Sequence, residues 1–333
     1  MPGDVIRIVS PSAPVASLVP RRLARAMANL EAMGYRVELG AHARDRTGHT
    51  AGSIEARAED LHAAFQDPNV QMILASIGGF TSHQLLDVLD DELIRTHPKV
   101  FMGYSDLTAL LVAIHERTGL VTFLGPAALP QFGEAGGLMD YTRRMWERVV
   151  LSSQAPGELE PAREVVAERL AWDREDTRPR RLVPHAPPIP FRDGVAEGPI
   201  LAANLGTLLL LAGTPDWPSM RGRLLLVEED EDESPATVDR LFTHLRHMGV
   251  YREIVGLGVG RIPPEVGFTE EDSLAAIVRE ATRGYDFPIA LDLDFGHEDP
   301  MMTLPLGVRG RLRVAPGRVA LSLLEPACRD REV

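Results

Sequence analysis

The sequence predicts an α/β protein whose first part is built on a parallel sheet and whose second part is richer in β structure. Three observations carry this. Apolar runs alternate with amphipathic segments over residues 1–150, the pattern of βαβ units. Residues 151–198 change texture, with Pro, Arg and acidic residues that read as a connector running over the surface. Residues 199–333 then show short apolar runs separated by Gly and Pro. A chain of 333 residues with 44% hydrophobic content is long enough for two such domains, each with its own core.

The elements follow in order. A strand at 5–9 leads to a helix at 21–33, a strand at 35–39 and a helix at 54–65. Next come a strand at 70–77, a helix at 83–93, a strand at 99–102, a helix at 109–116 and a strand at 121–124. Beyond the connector, a strand at 223–227 ends abruptly in the acidic run 228–233, and a helix spans 235–247. Short strands are expected near 254–260, 289–293, 312–314 and 319–323.

Several function classes fall away. A net charge of −13 without clustered Lys and Arg argues against a nucleic-acid surface. The single cysteine, Cys328, supports neither a disulfide framework nor a Cys-ligated metal. The N-terminus reads as the start of a strand rather than a secretory signal, and no run has membrane-spanning length, so a cytoplasmic setting is expected. Neither G-x-G-x-x-G nor a P-loop is present, and a nucleotide cofactor is not implied.

In open α/β sheets, ligands gather at the carboxyl ends of the strands. Those ends carry Ser10-Pro11-Ser12, Gly78-Gly79, Gly103-Tyr104-Ser105-Asp106 and Gly125-Pro126. Ser105 stands where an apolar strand breaks and a helix opens, the placement of a serine nucleophile. Ser and Asp are also ordinary helix N-caps, and capping is the competing reading. A serine nucleophile needs a base, and that base needs an orienting carboxylate. Of ten histidines, His297 lies just past the 289–293 strand beside a glycine. Glu228 is the first acid after the strand at 223–227, where it is held more rigidly than the acids that follow. The run 228–233 reads alternatively as a solvated loop before a helix or as a divalent-metal site.

These residues carry a resemblance. Gly78-Gly79-Phe80-Thr81-Ser82, then Gly103-Tyr104-Ser105-Asp106, then Leu226-Val227-Glu228-Glu229, then Gly296-His297 with Leu304-Pro305-Leu306-Gly307, resemble in order and spacing the motifs of the serine LD-carboxypeptidase family. The resemblance implies a flavodoxin-like N-terminal domain and a β-rich C-terminal domain with the site between them. It implies Ser105 as nucleophile, His297 as general base and Glu228 as its orienting partner, with backbone N–H groups of Gly79 and Asp106 as the oxyanion hole. It also implies a homodimer that works without a cofactor or metal.

Two branches of the family differ in substrate. One removes terminal D-alanine from muropeptides. The other, the microcin C immunity branch, hydrolyses the amide of an aminoacyl-nucleotide. The sequence from Thr50 to Leu61, the Gly78-Gly79 segment and the long connector are closer to the second. In that reading Gly78 lines the site, and Trp172 with Arg178 meets the base and its anionic linker; the competing reading makes Trp172 a packing residue and pairs the connector arginines with nearby acids. A non-catalytic small-ligand-binding module is the alternative from another class.

Overall fold

In the computed structural model, which describes residues 2–329, five parallel strands form the first sheet. They are β1 (Val5–Val9), β2 (Arg36–Leu39), β3 (Val70–Ala75), β4 (Val100–Gly103) and β5 (Phe123–Leu124), in spatial order β2-β1-β3-β4-β5. That order is flavodoxin-like, and the chain reverses direction across the sheet between β1 and β3, whose carboxyl ends are the place where ligands gather in sheets of this kind. The central strands are buried almost throughout, as expected of a parallel sheet covered by helices on both faces. Those helices are α1 (Val15–Leu18), α2 (Pro20–Ala32), α3 (Ile54–Gln66), α4 (Asp91–Thr96), α5 (Thr108–Thr118) and α6 (Asp140–Val150).

Eleven further strands follow: β6 (Gly157–Leu159), β7 (Glu164–Val166), β8 (Leu182–Pro184), β9 (Ile189–Arg192), β10 (Gly194–Asn204), β11 (Leu224–Glu228), β12 (Gly256–Gly260), β13 (Ile289–Leu293), β14 (Leu304–Pro305), β15 (Arg309–Ala315) and β16 (Arg318–Leu323). Eight of them make a second sheet in the order β6-β16-β15-β10-β11-β12-β13-β9. Its centre, β10-β11-β12-β13, is parallel, so the ends of β11 and β13 emerge on one edge. Helices α7 (Leu205–Leu210), α8 (Pro235–His247) and α9 (Leu274–Ala281) complete the set, α8 opening with a capping box between Ser234 and Thr237. Strand β14 leaves the second half of the chain to pair antiparallel with β5.

Helix α5 joins the halves. Every residue from Thr108 to Ile114 is buried, because one face packs on the first sheet and the other on β10 and α7. A helix apolar all round belongs in such an interior position. At roughly 1.5–3 kcal/mol for each large side chain removed from water, this seam fixes the elbow at its N-terminus against the second sheet.

The expected strand at 289–293 and helix at 235–247 appear with those bounds. The expected helix at 83–93 divides into a 3-10 segment, Ser82–Val88, and α4, because Asp90 turns out of the helix and its carboxylate caps Leu93 N. Helices α6 and α9 were not anticipated, and the stretch 151–198 contributes four short strands rather than only surface loop. Among the described residues no helix is long and apolar enough to cross a membrane.

Candidate active site

Strand β4 ends at Gly103, and two residues later Ser105 occupies the left-handed region at φ 62. That conformation costs a residue with a Cβ about 1–2 kcal/mol, and a strained strand-to-helix turn of this kind lifts a side chain out at the top of the sheet. Space around it is kept by the turn after β3. A Cβ added at Gly78 would lie 2.9 Å from Ser105 Cβ, 3.1 Å from its Oγ and 3.3 Å from the Asp106 nitrogen. Gly79 has φ +146, and its hypothetical Cβ would meet Ser12 Oγ at 2.5 Å.

Asp106 binds that turn to the elbow. Its buried carboxylate accepts hydrogen bonds from Ser12 Oγ at 2.5 Å, Thr81 N at 3.0 Å and Ser82 N at 2.8 Å, while its carbonyl accepts from Ser82 Oγ. Four donor atoms from beyond the ends of β1 and β3 are thereby tied to Asp106, beyond the end of β4 and beside Ser105. A cap on its own helix would not reach across to two other strand ends, so the side chain does more than the capping reading requires.

On the other sheet, Glu228 is the last residue of β11 and is 1% exposed. Its Oε2 accepts a hydrogen bond from His297 Nδ1 at 2.6 Å. The approach is close because Gly296 has no side chain: a Cβ there would stand 2.7 Å from Glu228 Oε2. Burial of the imidazole disfavours its charge, but the charge and hydrogen bond of Glu228, with Asp230 and Glu231 nearby, outweigh this and raise its pKa to about 9. The two halves of the site meet at Tyr104, whose ring packs edge-on against His297 with centroids 5.0 Å apart. Among the described residues no hydrogen bond joins Ser105 itself to His297.

Trp172 and Arg178 are placed differently. The Arg22 guanidinium lies 4.3 Å above the Trp172 ring, which also packs on the small cluster of Ala16, Leu23 and Leu129. Arg178 forms an ion pair with Glu168 at 2.6 Å on the surface. The acids beside Trp172 serve α2: Asp173 accepts from Arg21 N and Arg22 N at the helix start, and Asp176 pairs with Arg22 and Arg25. Arg169 spans to Glu231, Glu265 and Glu298, so the connector is fastened to both halves of the chain.

Sequence reasoning did not single out several groups that the fold gathers here. Asn204, at the end of β10, donates through its backbone N to Thr108 Oγ1 and through Nδ2 to Glu229. Arg261 donates to Asp294 and to the carbonyls of Glu298 and Pro300, bracing both ends of the His297 loop. Asp294, Glu298 and Pro300 flank a motif that was recognised; Asn204 and Arg261 close β10 and β12, the same strand-end signal that pointed to Glu228. Glu229, Asp230 and Glu233 bring carboxylate oxygens within 4.8 Å of one another, but both oxygens of Glu229 are already committed to Asn204 and Gly206.

Comparison with known proteins follows the same line. Residues 6–125 match the LD-carboxypeptidase N-terminal domain of peptidase family S66, and residues 197–312 match its C-terminal domain. A Bacillus subtilis protein named for carboxypeptidase activity, YocD, is 37% identical over 95% of each chain. The microcin C7 self-immunity protein of Escherichia coli is 30% identical over 92% of this chain and 90% of its own. Among solved structures, an MccF-like protein from Bacillus anthracis superposes with a TM-score of 0.90 at 32% identity over 98% of each chain. The microcin C7 self-immunity protein in complex with aspartyl sulfamoyl adenosine gives 0.89 at 29% identity, covering 98% of this chain and 97% of the other. With both domain models matched in order around a serine elbow and a Glu–His pair, the chain belongs to the LD-carboxypeptidase family of serine peptidases.

Proposed function

We propose that the protein hydrolyses the amide bond of a microcin C-like aminoacyl-nucleotide, with Ser105 as nucleophile, His297 as general base and Glu228 as the residue that orients it. The observation behind the reading is the 2.6 Å Glu228–His297 contact set against the Tyr104-Ser105 elbow. With Nδ1–H donated to Glu228, the neutral ring keeps its lone pair on Nε2. That nitrogen takes the Ser105 proton as Oγ adds to the scissile carbonyl, and N–H groups of Gly79 and Asp106 receive the resulting oxyanion. Collapse expels the amine, which leaves with the proton from His297. A water then repeats the sequence on the acyl-enzyme, releasing the acid and free Ser105.

Substrate preference draws on the connector. Trp172 is a half-buried aromatic of the connector with Arg22 over its ring, and an aromatic is the type of side chain on which a base stacks. The solved complex of a relative with aspartyl sulfamoyl adenosine spans nearly the whole chain and supports the same class. Removal of D-alanine from muropeptides is the second reading, favoured by a 28% identical murein tetrapeptide carboxypeptidase from Pseudomonas aeruginosa that covers 91% of this chain and 91% of its own. The family likeness also supports a homodimer acting in the cytoplasm, the former checked by light scattering.

Side-by-side hydrolysis of aspartyl sulfamoyl adenosine and a muropeptide tetrapeptide tests the choice. Faster turnover of the nucleoside is expected, with Ser105→Ala inactive on both. Turnover of the tetrapeptide alone moves the muropeptide reading ahead. Binding without cleavage of either substrate identifies a ligand-binding module.

A further inference from the structure

A buried polar chain runs from the elbow to the connector. The Tyr104 hydroxyl accepts a hydrogen bond from Gln131 Nε2 at 3.2 Å, and the same amide nitrogen donates to Asp299 Oδ1 at 3.2 Å. The amide orientation is fixed by Ala127 N, which donates to Gln131 Oε1 at 2.9 Å. Asp299 Oδ2 accepts from Arg180 Nη2 at 2.6 Å, and Arg180 Nε donates to Glu134 Oε2 at 2.8 Å. Glu134 lies 3.5 Å from Arg22, the residue stacked on Trp172. Tyr104, Gln131, Glu134 and Asp299 are all at least nine-tenths buried.

The chain occupies a telling position. Tyr104 precedes Ser105 and touches His297, while Asp299 follows His297 by two residues. Gln131 comes from the first half of the molecule and Arg180 from the connector. One carboxylate therefore contacts every part of the protein that has to be in register for Ser105 and His297 to exchange a proton. Nothing in the hydrolytic steps requires Asp299 to touch substrate. Its burial between a guanidinium and an amide suits a fixed spacer, since a charged group held this way tolerates little displacement.

We propose that Asp299 is a positioning residue which sets the alignment of His297 with Ser105 through Gln131 and Tyr104, and which transmits the seating of the connector to that alignment through Arg180. The proposal rests on Ser105 and His297 acting as nucleophile and base. Each partner on the chain has a definite donor or acceptor role, and this makes an exchange of chemistry possible. Asp299→Asn turns one amide N–H toward a neighbouring donor, either Arg180 or Gln131. Gln131→Glu sets a second carboxylate against Asp299. In the double variant the roles are complementary again: Arg180 donates to the Asn oxygen, the Asn amide donates to the new carboxylate, the Tyr104 hydroxyl donates to it as well, and Ala127 N keeps its acceptor.

The exchange is the test, read by kcat and KM on whichever substrate the wild type cleaves and by the rate at which a fluorophosphonate labels Ser105. Each single variant is expected to lose about 10–100-fold in kcat and in labelling rate, with KM within about threefold, and the double variant to recover most of the loss. Tyr104→Phe, which removes only the hydroxyl, should lower kcat several-fold and serves if either single variant folds poorly. Single variants at wild-type rate, or a double variant no better than the worse single, overturn the coupling while leaving the hydrolase reading in place. A wild type that the probe does not label overturns the nucleophile assignment and this proposal with it.

Discussion

At His297 two effects oppose each other: burial favours the neutral ring, and the carboxylates favour the cation, which prevails with a pKa of about 9. A general base must be unprotonated, so kcat/KM should rise about tenfold per pH unit at acid and neutral pH and level off near pH 9. Glu228→Gln removes the principal raising influence and leaves burial, so the rate should fall while the limb of the profile moves to lower pH. A limb that stays in place would show that Glu228 does not set it. Linkage gives the matching sign for stability. A histidine raised above its unfolded value of about 6.5 contributes stability that is complete below that pH and is lost as pH rises through about 9. Ser105 illustrates a different trade. Its left-handed backbone suits glycine, and Ser105→Gly should be as stable as the wild type or up to about 1 kcal/mol more stable in thermal melts, although inactive. A clear loss of stability would mean that the hydroxyl holds the elbow rather than serving chemistry.

Among the elements, the connector is where substrate choice is tested. Trp172→Ala should raise KM about tenfold for an aminoacyl-adenylate analogue and leave a plain peptide unaffected, in keeping with ~1–3 kcal/mol for a stacked base. Trp172→Phe should recover part of the effect. Equal losses on both substrates would assign Trp172 to packing under Arg22. The same elements show what could be read in advance. Strand β13 and helix α8 were legible because a short, largely apolar run just after Pro288 and a Ser-Pro start mark their beginnings locally. Glu228 and His297 were legible because both follow such strands. Helix α6 carried a signal that went unread: Tyr141, Met145, Trp146 and Val149 are buried at helical spacing. The split at Asp90 depends on a side-chain cap and on His62 accepting from its backbone. Neither can be placed from the sequence alone. Partnerships such as Gln131 with Asp299, 168 residues apart, are set only when the two sheets close on α5.

For the whole molecule, the motif order and spacing carried the family and the pairing of a parallel sheet with a β-rich second half, while the interleaving of the two sheets was not foreseen. Strand β14 completes the first sheet from deep in the second half, and β6, the first of the connector strands, borders the second beside β16. During synthesis this ordering sets a schedule. The free edge of β5 leaves the ribosome about 180 residues before its neighbour β14, a delay of about 10–40 s at ~5–20 residues per second. Throughout that interval the nascent chain presents an unpaired, apolar strand edge, the feature that recruits foreign strands and chaperones. Residues 1–150 produced alone should therefore collect in the insoluble fraction, and co-production of residues 151–333 should return them to solution. A soluble, monomeric 1–150 fragment would show that the first sheet tolerates its open edge, and birth order would then place no demand on the cell that makes the protein.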